Sequence, residues 1–302
     1  MELPVVVGVD GSEGSLQAVD WAAAEAERSN RALRIVHASL WEHYEGVRPR
    51  ISADRPSEQV HAENLVATAQ ERVHSLAPGV KVATDVRPED PVAALLAEGT
   101  EAALLVLGPR GHGPIAAMLL GSVSLTVAGR AHCPVFVTRG ESQAGAPTYG
   151  RVVLGVGGTT GSTSAARFAF EQARSRDCEL LAVRAWNCPP YASMPYPFLG
   201  GAQETAYRRQ ADETVDRILG VVDGDYPQVT VERKLVPGTA HQALLEEAAG
   251  ADLLVVGAQR RHAAIGLQLG RINHAVLHHA PCPVAVVPEW SDGAHPEEQQ
   301  AA

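Results

Sequence analysis

The most constraining feature of this chain is an internal duplication. Residues 5–12 (VVVGVDGS) recur as residues 152–159 (VVLGVGGT), 147 positions later. Two further segments recur 149 positions later: residues 103–108 (ALLVLG) as 252–257 (DLLVVG), and residues 133–137 (CPVFV) as 282–286 (CPVAV). A nearly constant offset of domain length indicates one domain present in two copies, because solenoid repeats have much shorter periods. The 302 residues are enough for two cores of ordinary size.

The two copies are joined by a segment of linker composition. Residues 140–147 (GESQAGAP) combine Gly, Pro and polar residues. After Pro288 the chain is acidic and contains Gln and Pro without periodicity, which predicts a disordered tail. We therefore expect a first domain over residues 1–140, a linker over 141–150, a second domain over 151–288 and a tail over 289–302.

Short apolar runs alternate with longer segments of helical periodicity in the first copy, which is the pattern of repeated βαβ units. The predicted strands are residues 3–9, 33–38, 80–86, 103–107 and 134–137. The predicted helices are residues 12–28, 57–76, 91–99 and 122–130, with Ser12, Ser57 and Ser122 as N-caps. Continuous apolar runs indicate strands covered on both faces. The expected fold class is α/β, with two tandem open parallel five-stranded sheets and helices on both faces of each (Rossmann-like).

Composition argues against several functional classes. The net charge of −10, without a compensating Lys/Arg-rich run, would repel nucleic acid. The cysteines form no C-x-x-C pair, so neither a zinc knuckle nor a thioredoxin-like site is indicated, and free thiols are expected. No apolar run approaches the roughly 20 residues of a membrane span, and the N-terminus has no leader pattern. We expect a cytoplasmic protein with neither nucleic acid nor membrane as a partner.

Three glycine-containing loops follow predicted strands or precede a helix in the first copy. Residues 10–12 (DGS) follow the first strand, residues 108–113 (GPRGHG) follow the fourth, and Gly121 precedes the last helix. Ligands of open parallel sheets bind at the carboxyl ends of the strands, where glycines and helix N-termini accommodate phosphates. The spacing Gly108-x2-Gly111-x9-Gly121-Ser122 is neither a P-loop nor G-x-G-x-x-G. Taken alone, it favours glycines that only form turns.

The motifs together resemble the ATP-binding tandem members of the universal stress protein family. The resemblance covers nearly all of residues 1–288, twice over, and is carried by residues 9–12 (VDGS), 107–113 (LGPRGHG), 120–124 (LGSVS) and 132–135 (HCPV). It implies an adenine nucleotide alpha hydrolase-like fold that binds ATP, with Mg²⁺ left open. The phosphates would lie on residues 108–113 and the start of the last helix, the ribose on Asp10 and the adenine on the backbone near Ala38. The ATP-binding residues that the resemblance implies are Asp10, Ser12, Ala38, Gly108, Arg110, Gly111, His112, Gly113, Gly121, Ser122, Val123 and Ser124.

The polar members of this set also have structural interpretations. Asp10 could form an Asx-type turn with the two residues that follow it. Arg110 and His112 offer a positive charge and a donor to phosphates, or are simply solvated at a loop tip. Ser122 could donate to a phosphate or cap its helix, and the two roles are compatible because they use neighbouring N–H groups.

The second copy departs from the pattern at three positions. Gly157 stands in place of Asp10, Arg260 in place of Gly111 and Arg271 in place of Ser122, whereas Gly257 and Gly270 are retained. An arginine in the loop restricts its backbone and fills space that a phosphate would use. We therefore predict that the second copy does not bind ATP in the family manner. Its arginines could still attract an anion of another shape, or be exposed loop charges.

Two further features of the second copy are ambiguous. Residues 186–198 (WNCPPYASMPYPF) concentrate aromatic residues and Pro, and form either a binding surface or a packed loop. His274 and His278 are four apart on the last predicted helix, beside His279, a spacing that could place two metal ligands on one face. Structural or exposed histidines are favoured, and no metal of protein origin is expected.

The sequence favours a binding protein over an enzyme. Residues 10–14 (DGSEG) lack the first glycine of a nucleophile elbow, and the phosphate loop lacks the Lys and the Walker-B-like acid of a working NTPase. The leading hypothesis is a stress-response protein in which bound ATP orders residues 108–122 and changes a surface seen by a protein partner, with at most slow hydrolysis. The resemblance further implies pairing of the two copies along their last strands and a homodimer. A nucleotide-independent interaction scaffold and an adenylyl-transfer enzyme remain as alternatives.

Overall fold

A computed structural model of the chain contains two compact units, each holding one copy of the repeat. The structure describes residues 2–40, 57–109, 120–139, 149–158, 161–187, 200–258 and 269–289. No helix within these ranges has the length and apolar character needed to cross a membrane.

The first unit alternates strands and helices along its described length. Its elements are β1 (Val5–Gly8), α1 (Glu13–Ser29), β2 (Leu33–Ala38), α2 (Ser57–Leu76), β3 (Val82–Arg87), α3 (Pro91–Glu98), β4 (Leu104–Leu107), α4 (Ser122–Arg130) and β5 (Val135–Val137). The strands pair in parallel in the order β3-β2-β1-β4-β5. The predicted fold class and the predicted elements are thereby confirmed, with differences of a few residues at element ends.

The core of this unit includes the central strand β1 and its neighbour β4. The side chains of Val5, Val6 and Val7 in β1 are almost completely buried, as is every residue of β4. Alanines on α1, among them Ala18 and Ala22, are fully buried and let the helix backbone approach the sheet closely. The prediction of strands covered on both faces is wrong for the edge strand β3, because every one of its residues is partly or fully exposed.

The second unit repeats this architecture. Its elements are β6 (Arg151–Gly155), α5 (Gly161–Arg176), β7 (Glu179–Trp186), α6 (Gly200–Leu219), a 3₁₀ turn (Asp223–Asp225), β8 (Val231–Pro237), α7 (Ala240–Ala248), β9 (Leu253–Ala258), α8 (Arg271–His279) and β10 (Val284–Pro288). The strand order is β10-β9-β6-β7-β8, again parallel. Gly8 lies opposite Val36 in the first unit, and Gly155 lies opposite Val183 in the second. This shared register makes residues of the two units comparable one by one.

Candidate functional site

The candidate site of the first unit lies where the strand order reverses. The chain proceeds from β1 outward to β2 and β3, and then returns to β4 and β5 on the other side of β1. The carboxyl ends of β1 and β4 therefore lie side by side, and the crevice outside such a switch point is where open α/β sheets bind ligands. The residues that follow β1 and β4 are the predicted loops at Asp10 and Gly108.

Asp10 forms the Asx-type turn that its sequence context allows. Its Oδ1 accepts hydrogen bonds from the Ser12 backbone N–H at 3.0 Å and from the Ser12 hydroxyl at 2.6 Å. Gly11 between them has φ +82°, a left-handed conformation that favours glycine. Asp10 is nevertheless exposed, so its carboxylate lies at the surface of the crevice. The turn orients Asp10 and does not exclude it from contact with a ligand.

Ser12 is the N-cap of α1, as predicted. Its Oγ accepts from the Ser15 backbone N–H at 3.2 Å, while the Ser15 hydroxyl donates to the Ser12 carbonyl at 2.8 Å. Ser12 is 9% exposed. Its hydroxyl therefore holds together the turn and the helix start, which makes Ser12 a residue that positions Asp10.

A buried histidine that sequence reasoning missed supports the same loop. The His37 Nδ1 lies 2.8 Å from the Val9 carbonyl oxygen. A carbonyl only accepts, so Nδ1 carries the proton in this contact. His37 is the penultimate residue of β2. Because it holds the Val9 carbonyl, it fixes the backbone immediately before Asp10. A polar ring among the apolar residues at the carboxyl end of this strand is the signal that could have revealed this residue.

Gly108 belongs to the predicted glycine pattern, and packing also requires a glycine at this position. A Cβ added at Gly108 would lie 2.7 Å from the Gly14 carbonyl oxygen, so the end of β4 and the start of α1 approach too closely for a side chain. The Ser124 hydroxyl donates to the Gly108 carbonyl at 2.8 Å, and the Gly121 N–H donates to the Pro109 carbonyl at 2.6 Å. The loop after β4 is therefore tied to the start of α4.

The N-cap of α4 is not Ser122, the residue predicted for this position. The N-cap is Gly121, with φ −67° and ψ 148°, and Ser122 is the first helical residue, so the prediction of Ser122 as N-cap is wrong. No side chain caps this described helix start. Its first N–H groups thus point out of the helix without a side-chain acceptor among the described residues, and Ser122 is exposed beside them. Such a helix start is suited to an anion.

Several predicted site residues lie outside the described residues. They are Arg110, Gly111, His112 and Gly113 of the first copy, Arg260 of the second copy, and most of the aromatic segment after Asn187. Among the predicted residues that are described, the structure brings Asp10 and Ser12 together in one turn, and joins Gly108 to Ser124 by a hydrogen bond. Ala38 ends the neighbouring strand β2, and Val123 follows Ser122 in the first turn of α4.

The second unit contains the same backbone anchors with different side chains. The Asn273 Nδ2 donates to the Gly257 carbonyl at 2.9 Å, as Ser124 does to Gly108. The Arg184 Nη1 donates to the Val156 carbonyl at 3.0 Å, in the position that His37 occupies toward Val9. Gly157 follows Val156 where the first unit has Asp10, so no carboxylate stands at this point.

The last helix of the second unit also begins without a side-chain cap. Its N-cap is Gly270, with φ −63° and ψ 158°, and Arg271 is the first helical residue and exposed. A Cβ added at Gly270 would meet no atom of the described residues within 4 Å.

The histidines and cysteines form no metal centre within the described ranges. His274 and His278 have ring centroids 4.4 Å apart, but no group of three or more metal-ligating side chains is found among the described residues. Cys133, Cys178 and Cys282 are free thiols, as expected, while Cys188 lies outside the described residues. Burial raises the pKa of Cys133 to about 12, which keeps this thiol protonated at neutral pH.

Comparisons with known proteins agree with this architecture. A model of the universal stress protein family matches residues 2–139 and again residues 148–288. A universal stress protein of Mycobacterium tuberculosis is 33% identical over 312 aligned positions, covering 97% of this chain and 98% of the relative. One from Mycolicibacterium smegmatis is 30% identical, covering 95% of this chain and 97% of the relative. The crystal structure of a universal stress protein from Archaeoglobus fulgidus has a TM-score of 0.63 at 16% identity, covering 95% of this chain and 98% of that one, which supports the fold.

Proposed function

This chain belongs to the universal stress protein family, and we propose that its first unit binds ATP while its second unit does not bind ATP in the same way. The observation that carries the proposal is the meeting of an exposed carboxylate and an uncapped helix start at one switch point. Asp10 follows β1, and α4 begins at Gly121 after the adjacent strand β4. An acceptor for ribose hydroxyls and a donor set for phosphates are the two halves of a nucleotide site.

The phosphates are proposed to lie against the start of α4. The N–H groups of Ser122 and Val123 belong to the first turn, where the helix dipole favours negative charge. Gly108 would contribute backbone, and Arg110 to Gly113 complete the proposed loop by family resemblance. Because the Ser124 hydroxyl donates a hydrogen bond to the Gly108 carbonyl, we assign Ser124 the role of positioning this loop.

The nucleoside is proposed to lie across the ends of β1 and β2. Asp10 would accept from the ribose hydroxyls, with its orientation set by Ser12. The backbone near Ala38 would meet the adenine, and His37 would hold the intervening strand ends in register through the Val9 carbonyl. Mg²⁺ would be bound chiefly by the phosphates, since this cation commonly binds through substrate phosphates and retained waters.

The second unit lacks the features on which this assignment depends. Gly157 provides no acceptor for ribose hydroxyls, and a guanidinium stands where His37 lies in the first unit. Arg271 begins the helix in place of Ser122. We therefore propose one ATP for each chain.

The role proposed for the bound ATP is signalling rather than catalysis. ATP at the helix start would order the loop of residues 108–122 and so change the surface presented to a protein partner, in the cytoplasm and as a homodimer. Two alternatives predict different observations. A nucleotide-independent scaffold would be indifferent to ATP, and an adenylyl-transfer enzyme would release pyrophosphate when ATP is added.

Calorimetric titration of ATP with Mg²⁺ into nucleotide-stripped protein tests this proposal. The variant Gly121→Glu places a carboxylate beside the helix start and is expected to abolish binding through charge repulsion and loss of space. Gly79→Glu is the matched control, because a Cβ at Gly79 meets no atom within 4 Å and the residue is exposed in a turn outside the site. Binding that survives Gly121→Glu, or is absent from the folded wild type, contradicts the proposal.

A further inference from the structure

The second unit preserves the frame of a binding site although its ligand residues have changed. Both backbone anchors are present: one side chain holds the carbonyl of Val156, and another holds the carbonyl of Gly257. Neither hydrogen bond is made by the residue type found in the first unit. The same two backbone carbonyls are therefore held in both units, although the side chains that hold them differ.

The charge in this crevice is reversed relative to the first unit. Gly157 removes the carboxylate that Asp10 supplies, and Arg184 adds a guanidinium where the first unit has His37. The change removes an acceptor and adds a group that only donates. The crevice of the second unit is therefore suited to an anion and unsuited to a ribose diol.

Arg184 has unused capacity for hydrogen bonding. A guanidinium has five N–H donors, and within the described ranges this one makes a single hydrogen bond, to the Val156 carbonyl. Its Nε is buried without a hydrogen-bond partner, and Arg184 forms no ion pair with the described residues. The Nη2 lies 3.5 Å from where a Cβ would stand on Gly158, so the charged group lies against the loop after β6.

The electrostatic surroundings of Arg184 are positive. Burial, and then the charge of Arg217, lower the pKa of Arg184 from its ordinary value. Both effects act against the charged form, and no described carboxylate offsets them. An anion at this position would relieve both the desolvation and the repulsion.

The helix start of α8 contributes to the same edge of the sheet. Strands β7 and β9 lie on either side of β6, so their ends are about 10 Å apart at ordinary strand spacing. Arg184 lies near the end of β7, and the helix that follows β9 begins at Gly270 without a side-chain cap. The loop at Gly157 and Gly158, after β6, lies between them.

We infer that the second unit binds an oxyanion of the phosphate class over Gly157 and Gly158, with Arg184 as its principal ligand. Guanidinium and phosphate match in geometry and form two parallel hydrogen bonds. The glycine loop leaves room for the oxygens to approach the backbone. This inference concerns the unit that the proposed ATP site does not use, and it does not depend on ATP binding in the first unit.

Titration of inorganic phosphate into the full nucleotide-stripped chain tests this inference. Arg184→Gln and Arg184→His, the second of which installs the residue of the first unit, are each expected to weaken phosphate binding by about tenfold or more, as for loss of a charge-assisted hydrogen bond. Arg209→Gln is the control for loss of one positive charge, because its highly exposed side chain belongs to α6. It is expected to bind phosphate as the wild type does.

A second variant keeps the test decisive if the arginine substitutions disturb folding. Gly157→Asp installs the carboxylate of the first unit without removing a side-chain contact, and is expected to abolish phosphate binding. Thermal unfolding of each variant checks that the chain remains folded. Glycerol 3-phosphate, titrated in parallel, separates a phosphate ester from free phosphate: tighter binding of the ester indicates an ester ligand, and equal binding indicates the free ion.

Three results would overturn the inference. They are no binding of either probe by the wild type, unchanged binding by the folded Arg184 and Gly157 variants, and loss of binding in Gly121→Glu with retention in Arg184→Gln, which would place the anion in the first unit. ATP titration of the Arg184 variants keeps the two proposals separate. We expect these variants to bind ATP as the wild type does, whether or not they bind phosphate.

Discussion

The two units have the same backbone architecture but differ in the chemistry of their crevices. In each unit, a side chain near the end of the second strand is hydrogen-bonded to the residue after the first strand. In each unit, the third residue of the last helix is hydrogen-bonded to a glycine at the end of the fourth strand, which is Gly108 directly after β4 and Gly257 within β9. The side chains that make these bonds differ completely between the units. The comparison teaches that the frame of a site can persist while its charge is inverted.

The comparison also separates two reasons for a glycine. Gly108 is required by the close approach of β4 to α1, since a side chain would collide with the Gly14 backbone. The second copy retains glycines at the equivalent positions, Gly161 and Gly257. Because packing alone requires a glycine at the position of Gly108, retention of a glycine at 257 is not by itself a sign of nucleotide binding. The positions that discriminate between the units are those of Asp10 and Ser122.

The largest expected effect is that of a methyl group at Gly108. Gly108→Ala is expected to lower the free energy of unfolding by about 1–3 kcal/mol, as in other overpacked sites, and to weaken ATP binding by displacing the loop. Gly79→Ala, in open space, should change stability by less than about 0.5 kcal/mol. Urea unfolding measures both. Equal stability of the two variants would show that the approach of β4 to α1 does not require glycine.

Removal of the charge on Asp10 should affect ATP binding without affecting the fold. In Asp10→Asn the Oδ1 still accepts from Ser12, so the turn and the melting temperature are expected to persist. Loss of a charged acceptor should weaken ATP binding about tenfold. Calorimetry measures the affinity, and phosphate binding in the second unit should stay unchanged. An unaltered ATP affinity would remove Asp10 from the proposed ribose site.

Removing the hydrogen bond from Ser124 to Gly108 or from Asn273 to Gly257 should affect protein stability equally but ATP binding unequally. Ser124→Ala and Asn273→Ala each remove a hydrogen bond to a glycine carbonyl, and each is expected to cost about 1 kcal/mol of unfolding free energy. Only Ser124→Ala is expected to weaken ATP binding. Denaturant unfolding and ATP titration of the two variants provide the comparison, which fails if both variants change ATP affinity alike.

A smaller difference concerns alkaline pH. Burial, and then the charge of Glu171, raise the pKa of Tyr226 to about 12, whereas an unfolded tyrosine titrates near 10. The folded state therefore holds this proton more tightly, and the resulting stability is present below pH about 10 and is lost as pH rises toward 12. The first copy has Ala77 at the equivalent position and lacks this contribution.

The matched variant for this effect is Tyr226→Phe, which removes the hydroxyl that donates to Glu171. The difference in unfolding free energy between wild type and variant is expected to shrink between pH 10 and 12. Denaturant unfolding across this range measures it. A difference that is independent of pH would contradict the raised pKa.

Sequence periodicity was sufficient for the fold because each strand and helix satisfies its own local pattern. Continuous apolar runs predicted the buried strands β1 and β4, and Ser12 as an N-cap followed from residue type. Capping failed at α4, where Gly121 takes the cap position one residue before the predicted cap and Ser122 is the first helical residue. Local sequence favours a serine cap there, but it contains no information on the tertiary hydrogen bond from the Gly121 N–H to the Pro109 carbonyl.

Tertiary contacts explain what sequence reasoning missed in the site. His37 and Arg184 lie in strands whose other buried residues are apolar, and their roles depend on a hydrogen bond to a carbonyl that directly follows another strand and is distant in sequence. The 147-residue offset between the copies already pairs the two residues, and the sheet register of each unit agrees with it, but neither reveals the hydrogen bonds that they make. The changes at Asp10 and Ser122, in contrast, could be found by aligning the two copies.

The most direct test of the account is the number of ATP molecules bound by each chain. Calorimetric titration of nucleotide-stripped protein with ATP and Mg²⁺ is predicted to give one ATP per chain, with binding lost in Gly121→Glu and retained in Gly270→Glu, the same substitution at the equivalent helix start of the second unit. Two ATP per chain, each lost in one of these variants, would contradict the division of roles between the two units.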